Sequence, residues 1–297
     1  MNVRVLNFGS LNIDYVYQVD HFVQPGETMS AASLQVNCGG KGLNQSVALA
    51  RAGVETWHAG CIGAEGLFLK EKLAAAGVNT TFVRQVEGST GHAIIQVDGE
   101  GQNCILLHDG ANGRITEAFA EEVLSGFGPE DVLLLQNETS CVGYLLARAA
   151  EKGMRVALNA APANGRLEGL PLERLRWLLV NEVEGAFLAG TEDPEEIARV
   201  LTRRYPHTML VLTLGVQGSL AALGEKMVRM PARQVTAVDT TAAGDTFTGY
   251  FLRGVLEGWP LEETLGLAAA ASALAVTRVG AADSVPFYEE ARAFYRA

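Results

Sequence analysis

Asp239-Thr-Thr-Ala-Ala-Gly-Asp245-Thr-Phe-Thr-Gly-Tyr250 places small residues, a glycine and an isolated aspartate just ahead of a long apolar helix pattern. Small residues allow close backbone approach, and glycine relieves the steric limits of a turn. The first turn of the following helix has unpaired N–H groups and partial positive charge, which together make a pocket for an anion. A carboxylate sits in the middle of that pocket. Asp245 is therefore either a helix cap or a reagent, and the rest of the chain has to decide between them.

The 297 residues are enough to bury a sizeable core. Hydrophobic content of 48% and charged content of 19% exclude a disordered chain. A net charge of −11 with no basic stripe argues against nucleic acid as a partner. Any phosphate site must therefore be built locally, from helix ends, a metal and a few cations. No apolar run approaches the roughly 18–20 residues of a membrane span. The opening MNVRVLNFGS reads as a short β-type run and not as a signal peptide, so a cytoplasmic location is expected. Cys38, Cys61, Cys104 and Cys141 are scattered without a CxxC pair and are expected to be buried reduced thiols.

Val3–Phe8, Asp131–Gln136, Arg155–Asn159, Trp177–Val180 and Met209–Thr213 read as buried parallel strands. Between them, Leu43–Ala52, Gly66–Ala76, Thr116–Gly126, Val142–Lys152 and Glu195–Tyr205 read as helices with one apolar face. The alternation predicts an α/β fold: a doubly wound, mostly parallel sheet with helices on both faces and ligands at the strands' C-terminal ends. Asp14–Val36 and Thr90–His108 instead alternate polar and apolar residues, and the second holds the hairpin signal Asp98-Gly-Glu-Gly101. Neither has room for a crossover helix. They predict a small projecting β-sheet, a lid formed by insertions at about 14–36 and 90–108 of a single unit spanning 1–297. The chain from Gly244 onward reads as mostly helical, including Leu265–Thr277.

Val36-Asn-Cys-Gly-Gly-Lys-Gly-Leu-Asn-Gln-Ser46 joins the first projecting segment to a helix. Its spacing is neither GxxxxGK[ST] nor GxGxxG, so a P-loop and a dinucleotide fold are both poorly supported. Gly39, Gly40 and Gly42 free the backbone, while Lys41, Asn44 and Gln45 supply polar groups at the helix start. Beside Asn12 and Asp14, these groups suit the several hydroxyls of a sugar, because a missing hydroxyl would leave buried partners unpaired. A tight turn into a helix is the plainer alternative.

Together these segments resemble the ribokinase (PfkB-type) family of carbohydrate kinases. Gly39-Gly-Lys-Gly-Leu-Asn44 with Gly53 and Gly63 is similar to its first signature, and Asp239–Asp245 to the core of its second. The resemblance implies that Asp245 is the general base for a sugar's primary hydroxyl. The N–H groups of Ala242, Ala243 and Gly244 would meet the charge on the transferred phosphoryl group. A helix N-terminus favours an ionised carboxylate there. Asn12, Asp14, Gly40, Lys41, Asn44 and Glu138 would hold the sugar, with D-ribose going to ribose 5-phosphate as the leading case. Asn181, Thr213, Gly215, Gly218 and Gly244 would line the ATP site. Glu184 would help organise Mg²⁺ through water, although Asn181 and Glu184 also read as ordinary helix capping with a solvated charge. Asp239, Thr241, Ala275, Arg278, Gly280 and Ser284 match a monovalent-cation loop for K⁺, built largely from backbone carbonyls. The lid would exclude water and pair two copies into a homodimer.

Three positions depart from the family pattern. Thr248 stands where asparagine is usual, Tyr250 where a small residue is usual, and Ala269 where some relatives have histidine. The first two leave sugar identity open and the third the nucleotide base contact. A kinase for another sugar or a nucleoside is the alternative within the class. A non-catalytic sugar sensor and a nicotinamide dehydrogenase lie outside it. The five histidines are too dispersed for a metal cluster. Trp57, Trp177 and Trp259 read as packing residues.

Overall fold

Valine- and leucine-rich runs without polar alternation form strands buried on both faces. The computed structural model describes residues 3–297; Met1 and Asn2, which open the expected first β-type run, lie outside the described residues. In chain order the strands are β1 (Arg4–Phe8), β2 (Asn12–Gln18), β3 (Ser33–Gly39), β4 (Glu55–Ile62), β5 (Asn79–Gln85), β6 (Gly91–Val97), β7 (Asn103–His108), β8 (Val132–Gln136), β9 (Arg155–Asn159), β10 (Trp177–Asn181), β11 (Met209–Thr213), β12 (Ser219–Leu223) and β13 (Lys226–Met230). The helices are α1 (Lys41–Arg51), α2 (Leu67–Ala75), α3 (Glu117–Leu124), α4 (Val142–Glu151), α5 (Glu182–Ala189), α6 (Pro194–Arg204), α7 (Ala243–Leu256), α8 (Leu261–Val276) and α9 (Tyr288–Arg296).

One sheet has the strand order β13-β12-β11-β10-β9-β8-β1-β4-β5. Neighbours from β5 to β11 run parallel, and only β12 and β13 add antiparallel pairings, at one edge. The chain leaves β1 toward β4 and β5, then returns to β8 on the other side of β1. That reversal opens a crevice at the carboxyl ends of neighbouring strands. Alternate residues of each strand feed two cores. Phe8, Leu135 and Leu158 pack with α3, α4 and α6, whereas Val5, Leu134 and Val211 pack with α1, α7 and α8. This is the expected doubly wound architecture.

A second sheet, ordered β3-β2-β6-β7, takes its strands from the two alternating segments. Its β6–β7 hairpin turns at Asp98–Gly101, where the Gly101 N–H donates to the Asp98 carbonyl at 3.1 Å. Strand β2 follows β1 after only Gly9, Ser10 and Leu11, so this sheet is anchored beside the crevice.

Four strands escape the sequence reading. Glu55–Ile62 mixes polar, aromatic and small residues, yet becomes β4 by parallel pairing with β1 and β5, with Thr56 and His58 buried. Asn79–Gln85 (β5) also lacks a clear pattern, and β12 and β13 are short edge strands. All four cysteines are free, but only Cys61 is buried; Cys104 is exposed in β7, contrary to expectation, because that strand is exposed along its length.

Helix α7 buries Phe247, Tyr250, Phe251 and Leu252, each worth about 1.5–3 kcal/mol. It crosses α1 at close range: a Cβ on Gly249 would stand 2.5 Å from Ala48 Cβ. One helical turn before this crossing lie Asp245 on α7 and Asn44 and Gln45 on α1, so the absence of a side chain at Gly249 sets their separation.

Candidate active site

The turn into α7 is made by Ala242, which adopts left-handed backbone (φ 59°) despite its Cβ. Such strain concentrates at functional sites. Asp245 is 7% exposed in the first turn. Its Oδ2 accepts from Asn44 Nδ2 at 3.0 Å and its Oδ1 from Gln45 Nε2 at 2.8 Å. Ala243 N–H is turned to the Thr240 carbonyl at 3.3 Å, while the N–H groups of Gly244 and Asp245 meet no protein acceptor among the described residues. The helix end is thus open to an anion.

Two cavities adjoin here. One, of about 290 Å³, is mainly apolar and is lined by Val216, Val235, Phe247, Ala269 and Ala273, together with Thr213, Gly215 and Gly218. The other, of about 220 Å³, is lined by Lys41, Asn159, Asn181, Glu184, Thr248 and Ala242 to Asp245. Thr213, Thr240, Ala243 and Gly244 belong to both walls.

On the crevice side, Asn12 and Asp14 lie in β2, opposite Gly39 and Asn37 of β3. Asn12 Oδ1 accepts from Asn112 Nδ2 at 2.7 Å. Gly39 has no alternative, because a side chain there would overlap the Asp14 carboxylate. Gly40 takes φ 92° and brings the chain onto Ser10 and Asn12. Glu138, just beyond β8, accepts from Ser10 Oγ and from the Lys41 N–H at 3.1 Å.

Burial pushes Asp14 up to about 7, and the charge of Glu138 adds to the effect. Burial likewise pushes Glu138 up, against the pull of Lys41 and of its hydrogen bonds. Burial alone would lower Lys41, but Asp245, Glu138 and Glu184 outweigh it and hold the ammonium above its usual value. Lys41 is thus a firmly charged group amid carboxylates. Asn44 Oδ1, by contrast, is buried without a partner.

Asn181 and Glu184 form a capping box at the start of α5. Asn181 Oδ1 accepts from the Val183 and Glu184 N–H groups at 2.8 and 3.0 Å, and Glu184 Oε2 accepts from the Asn181 N–H at 2.9 Å. The capping expectation holds, but Glu184 is 5% exposed and faces the polar cavity, so it is no solvated surface charge. Of the expected sugar-holding residues only Lys41 lines a cavity; Asn12, Asp14, Gly40, Asn44 and Glu138 stand beside it. The expected cation-loop residues gather separately and line neither cavity. Asp239 ties two loops together, accepting from Thr241 and Gly280 N–H groups, each at 2.9 Å. The Ala275 carbonyl accepts from the Arg278 N–H, Ser284 Oγ donates to the Ala281 carbonyl, and the Arg278 guanidinium turns out to Glu290.

Of the departures from pattern, Thr248 and Ala269 line cavities. Thr248 Oγ1 donates to the Gly244 carbonyl at 2.9 Å. Tyr250 does not face the crevice: it is fully buried, with its hydroxyl donated to the Pro286 carbonyl at 2.8 Å. It belongs to the core of α7 and α9 and lines neither cavity. Trp57 and Trp259 pack on aromatic neighbours and Trp177 is buried in the sheet, as expected. Sequence reasoning missed Ser10, Gln136 and the contact of Gln45 with Asp245. Polar residues at or next to the ends of otherwise apolar runs, Asn7 before the last residue of β1 and Gln136 at the end of β8, were the available signal.

An apolar cavity and a polar one meeting at one free helix end is the layout of an enzyme that hands an anionic group from one small molecule to another. The chain belongs to the pfkB family of carbohydrate kinases, which matches residues 3–287. It is 36% identical over 295 residues to the ribokinase of Haemophilus influenzae, covering 96% of both chains. It is 35% identical over 309 residues to that of Schizosaccharomyces pombe, covering 96% of this chain and 95% of the other. Its structure is similar to that of the Thermotoga maritima ribokinase (34% identity, TM-score 0.88, 99% of both chains). It is also similar to Arabidopsis thaliana ribokinase complexed with ribose and ATP (30% identity, TM-score 0.88, 100% of both chains).

Proposed function

We propose that the chain transfers the γ-phosphate of ATP to the primary hydroxyl of D-ribose, giving ribose 5-phosphate. The observation that carries this reading is the Asp245 carboxylate set beside the free Gly244 and Asp245 N–H groups, where the two cavities share a wall. The apolar cavity suits the nucleoside of ATP, reached past Thr213, Gly215 and Gly218. Asn12, Asp14, Gly40, Lys41, Asn44 and Glu138 offer the sugar a mixture of acceptors and donors, and the unpartnered Asn44 Oδ1 awaits a hydroxyl. Asp245 takes the hydroxyl proton as the sugar oxygen attacks the γ-phosphorus. Lys41 and the open helix end stabilise the charge of the transferred group. No group of three metal-binding side chains occurs among the described residues. Glu184, with one oxygen committed to the cap and the other free toward the polar cavity, suits a metal already carried by phosphates and water. Mg²⁺ bound there supplies neutralisation of phosphate charge. The oxygen-rich loops of Asp239, Thr241, Ala275, Gly280 and Ser284 suit K⁺, because carbonyls already accepting one hydrogen bond keep a second lone pair and the Arg278 cation points away.

Residues 1–297 are read as one unit with its lid. Both faces of the lid expose apolar side chains, with Leu106 at 67%, Ile105 at 57% and Val36 at 52%, which supports a homodimer formed through this sheet. No helix among the described residues is long and apolar enough to cross a membrane, and a cytoplasmic location is proposed. A coupled ATP assay over pentoses, deoxyribose, hexoses and nucleosides, in K⁺, Na⁺ and choline buffers, tests the whole reading. The highest kcat/KM is expected with ribose in K⁺. ATP consumption unaffected by any sugar would refute the kinase, a preference for nucleosides would refute the acceptor, and equal rates in the three buffers would refute the cation loop.

A further inference from the structure

Behind Asp245 lies a chain of side-chain amides that touches no cavity. Gln45 Nε2 donates to Asp245 Oδ1 at 2.8 Å, and Gln45 Oε1 accepts from Gln136 Nε2 at 2.7 Å. Gln136 Nε2 also donates to Asn7 Oδ1 at 2.9 Å. Asn7 Nδ2 donates to the Gly42 carbonyl and to Ser46 Oγ, both at 2.8 Å. A backbone carbonyl can only accept, so the Gly42 carbonyl fixes the orientation of the Asn7 amide. Asn7 then presents oxygen to Gln136, Gln136 presents its NH₂ to Gln45, and Gln45 must present its own NH₂ to Asp245. The polarity set at one peptide group thus arrives at the carboxylate as a donor. We propose that Gln45, held in this sense by Gln136 and Asn7, is a positioning residue that fixes the rotation of the Asp245 carboxylate for proton removal. This inference rests on Asp245 being the base.

Asn44, the other donor to Asp245, is expected to touch the sugar and cannot separate binding from positioning. Gln45, Gln136 and Asn7 are each 0% exposed, so no ligand reaches them. Their influence must therefore appear in turnover and not in sugar binding. A carboxylate free to rotate samples its productive geometry less often, and misplacement of this kind costs on the order of 10- to 100-fold in rate.

The test is steady-state kinetics with ribose and ATP on the full chain, comparing Gln45→Met, Gln136→Met and Asp245→Asn, alone and combined. Methionine fills the volume without the hydrogen bonds. Gln45→Met is expected to lower kcat at least about tenfold with the ribose KM unchanged, and Gln136→Met to lower it less, about threefold or more. In the Asp245→Asn background neither change should lower kcat further, because both act through that carboxylate; a general loss of structure would multiply through. Should Gln45→Met fail to fold, Gln136→Met, one residue further from the base, carries the same non-additivity test. Normal turnover in Gln45→Met or Gln136→Met, or multiplicative losses in the double variants, overturns the positioning role. Near-normal turnover in Asp245→Asn alone overturns the base assignment itself, so the two failures are distinct.

Discussion

Replacing Asp14 by asparagine separates two effects that the structure sets against each other. In the empty protein, burial and the nearby charge of Glu138 push this carboxyl from 3.8 up to about 7. The folded state therefore holds a proton that the unfolded chain has already released between those limits. Stability from this site is fully present below about 3.8 and is lost as pH rises through about 7. At 1.36 kcal/mol per unit the gap is worth about 4 kcal/mol, and the residual solvent contact of Asp14 reduces this to about 2–3 kcal/mol. Asparagine keeps the shape and loses the charge. Urea unfolding followed by tryptophan fluorescence, without sugar, is expected to show Asp14→Asn gaining stability over the parent chain as pH rises from 5 to 8. Sugar binding should move the other way. Losing a charged acceptor for a sugar hydroxyl costs about 1.5–3 kcal/mol, or roughly 10- to 100-fold in ribose affinity. The parent chain's ribose KM should likewise rise as pH falls below about 7. A stability difference that does not change with pH, or a loss of stability at pH 8, would refute the argument.

Asp245→Asn is expected to lower kcat by roughly 10²–10⁴, the usual contribution of a positioned base, with the ribose KM little changed. Both carboxylate oxygens accept from amide donors, so an asparagine NH₂ would face one of them, costing about 1–3 kcal/mol in unfolding experiments. Tyr250→Phe leaves the Pro286 carbonyl without its donor and should cost about 1 kcal/mol while leaving the ranking of sugars intact. A changed sugar preference in that variant would show that Tyr250 reaches the crevice after all. Gly249→Ala would drive a methyl into Ala48 where α7 crosses α1, costing about 1–3 kcal/mol and lowering kcat through the displaced base. Normal melting and turnover in that variant would remove the crossing as the device that sets the site.

The central strands were legible because burial on both faces demands uninterrupted valine and leucine, as in Val-Leu-Leu-Leu of β8. The second sheet was legible for the opposite reason: its strands alternate. Strand β4 was not, because Glu55-Thr-Trp-His-Ala-Gly-Cys-Ile has neither pattern and owes its place to pairing with β1 and β5. The residues expected to meet at α7 were readable from their types and motif spacing. The amide chain behind them was not, since its members lie up to 129 residues apart and only folding aligns Asn7 with Gln136. Tyr250 shows the converse error: a residue near a signature in sequence points to the opposite side of its helix.

The partition of the two cavities has a further meaning for how such a chain can change over generations. The residues proposed to hold the sugar on β2, α1 and the turn after β8 come from the first half of the chain. The apolar chamber, by contrast, is built from residues 213 to 276, and the polar one takes only Lys41 from before Asn159. Exchanges in the early segment can therefore retune which alcohol is accepted while the donor-binding half is inherited unaltered. Thr213, Thr240, Ala243 and Gly244 line both chambers, and it is there that variation has least freedom.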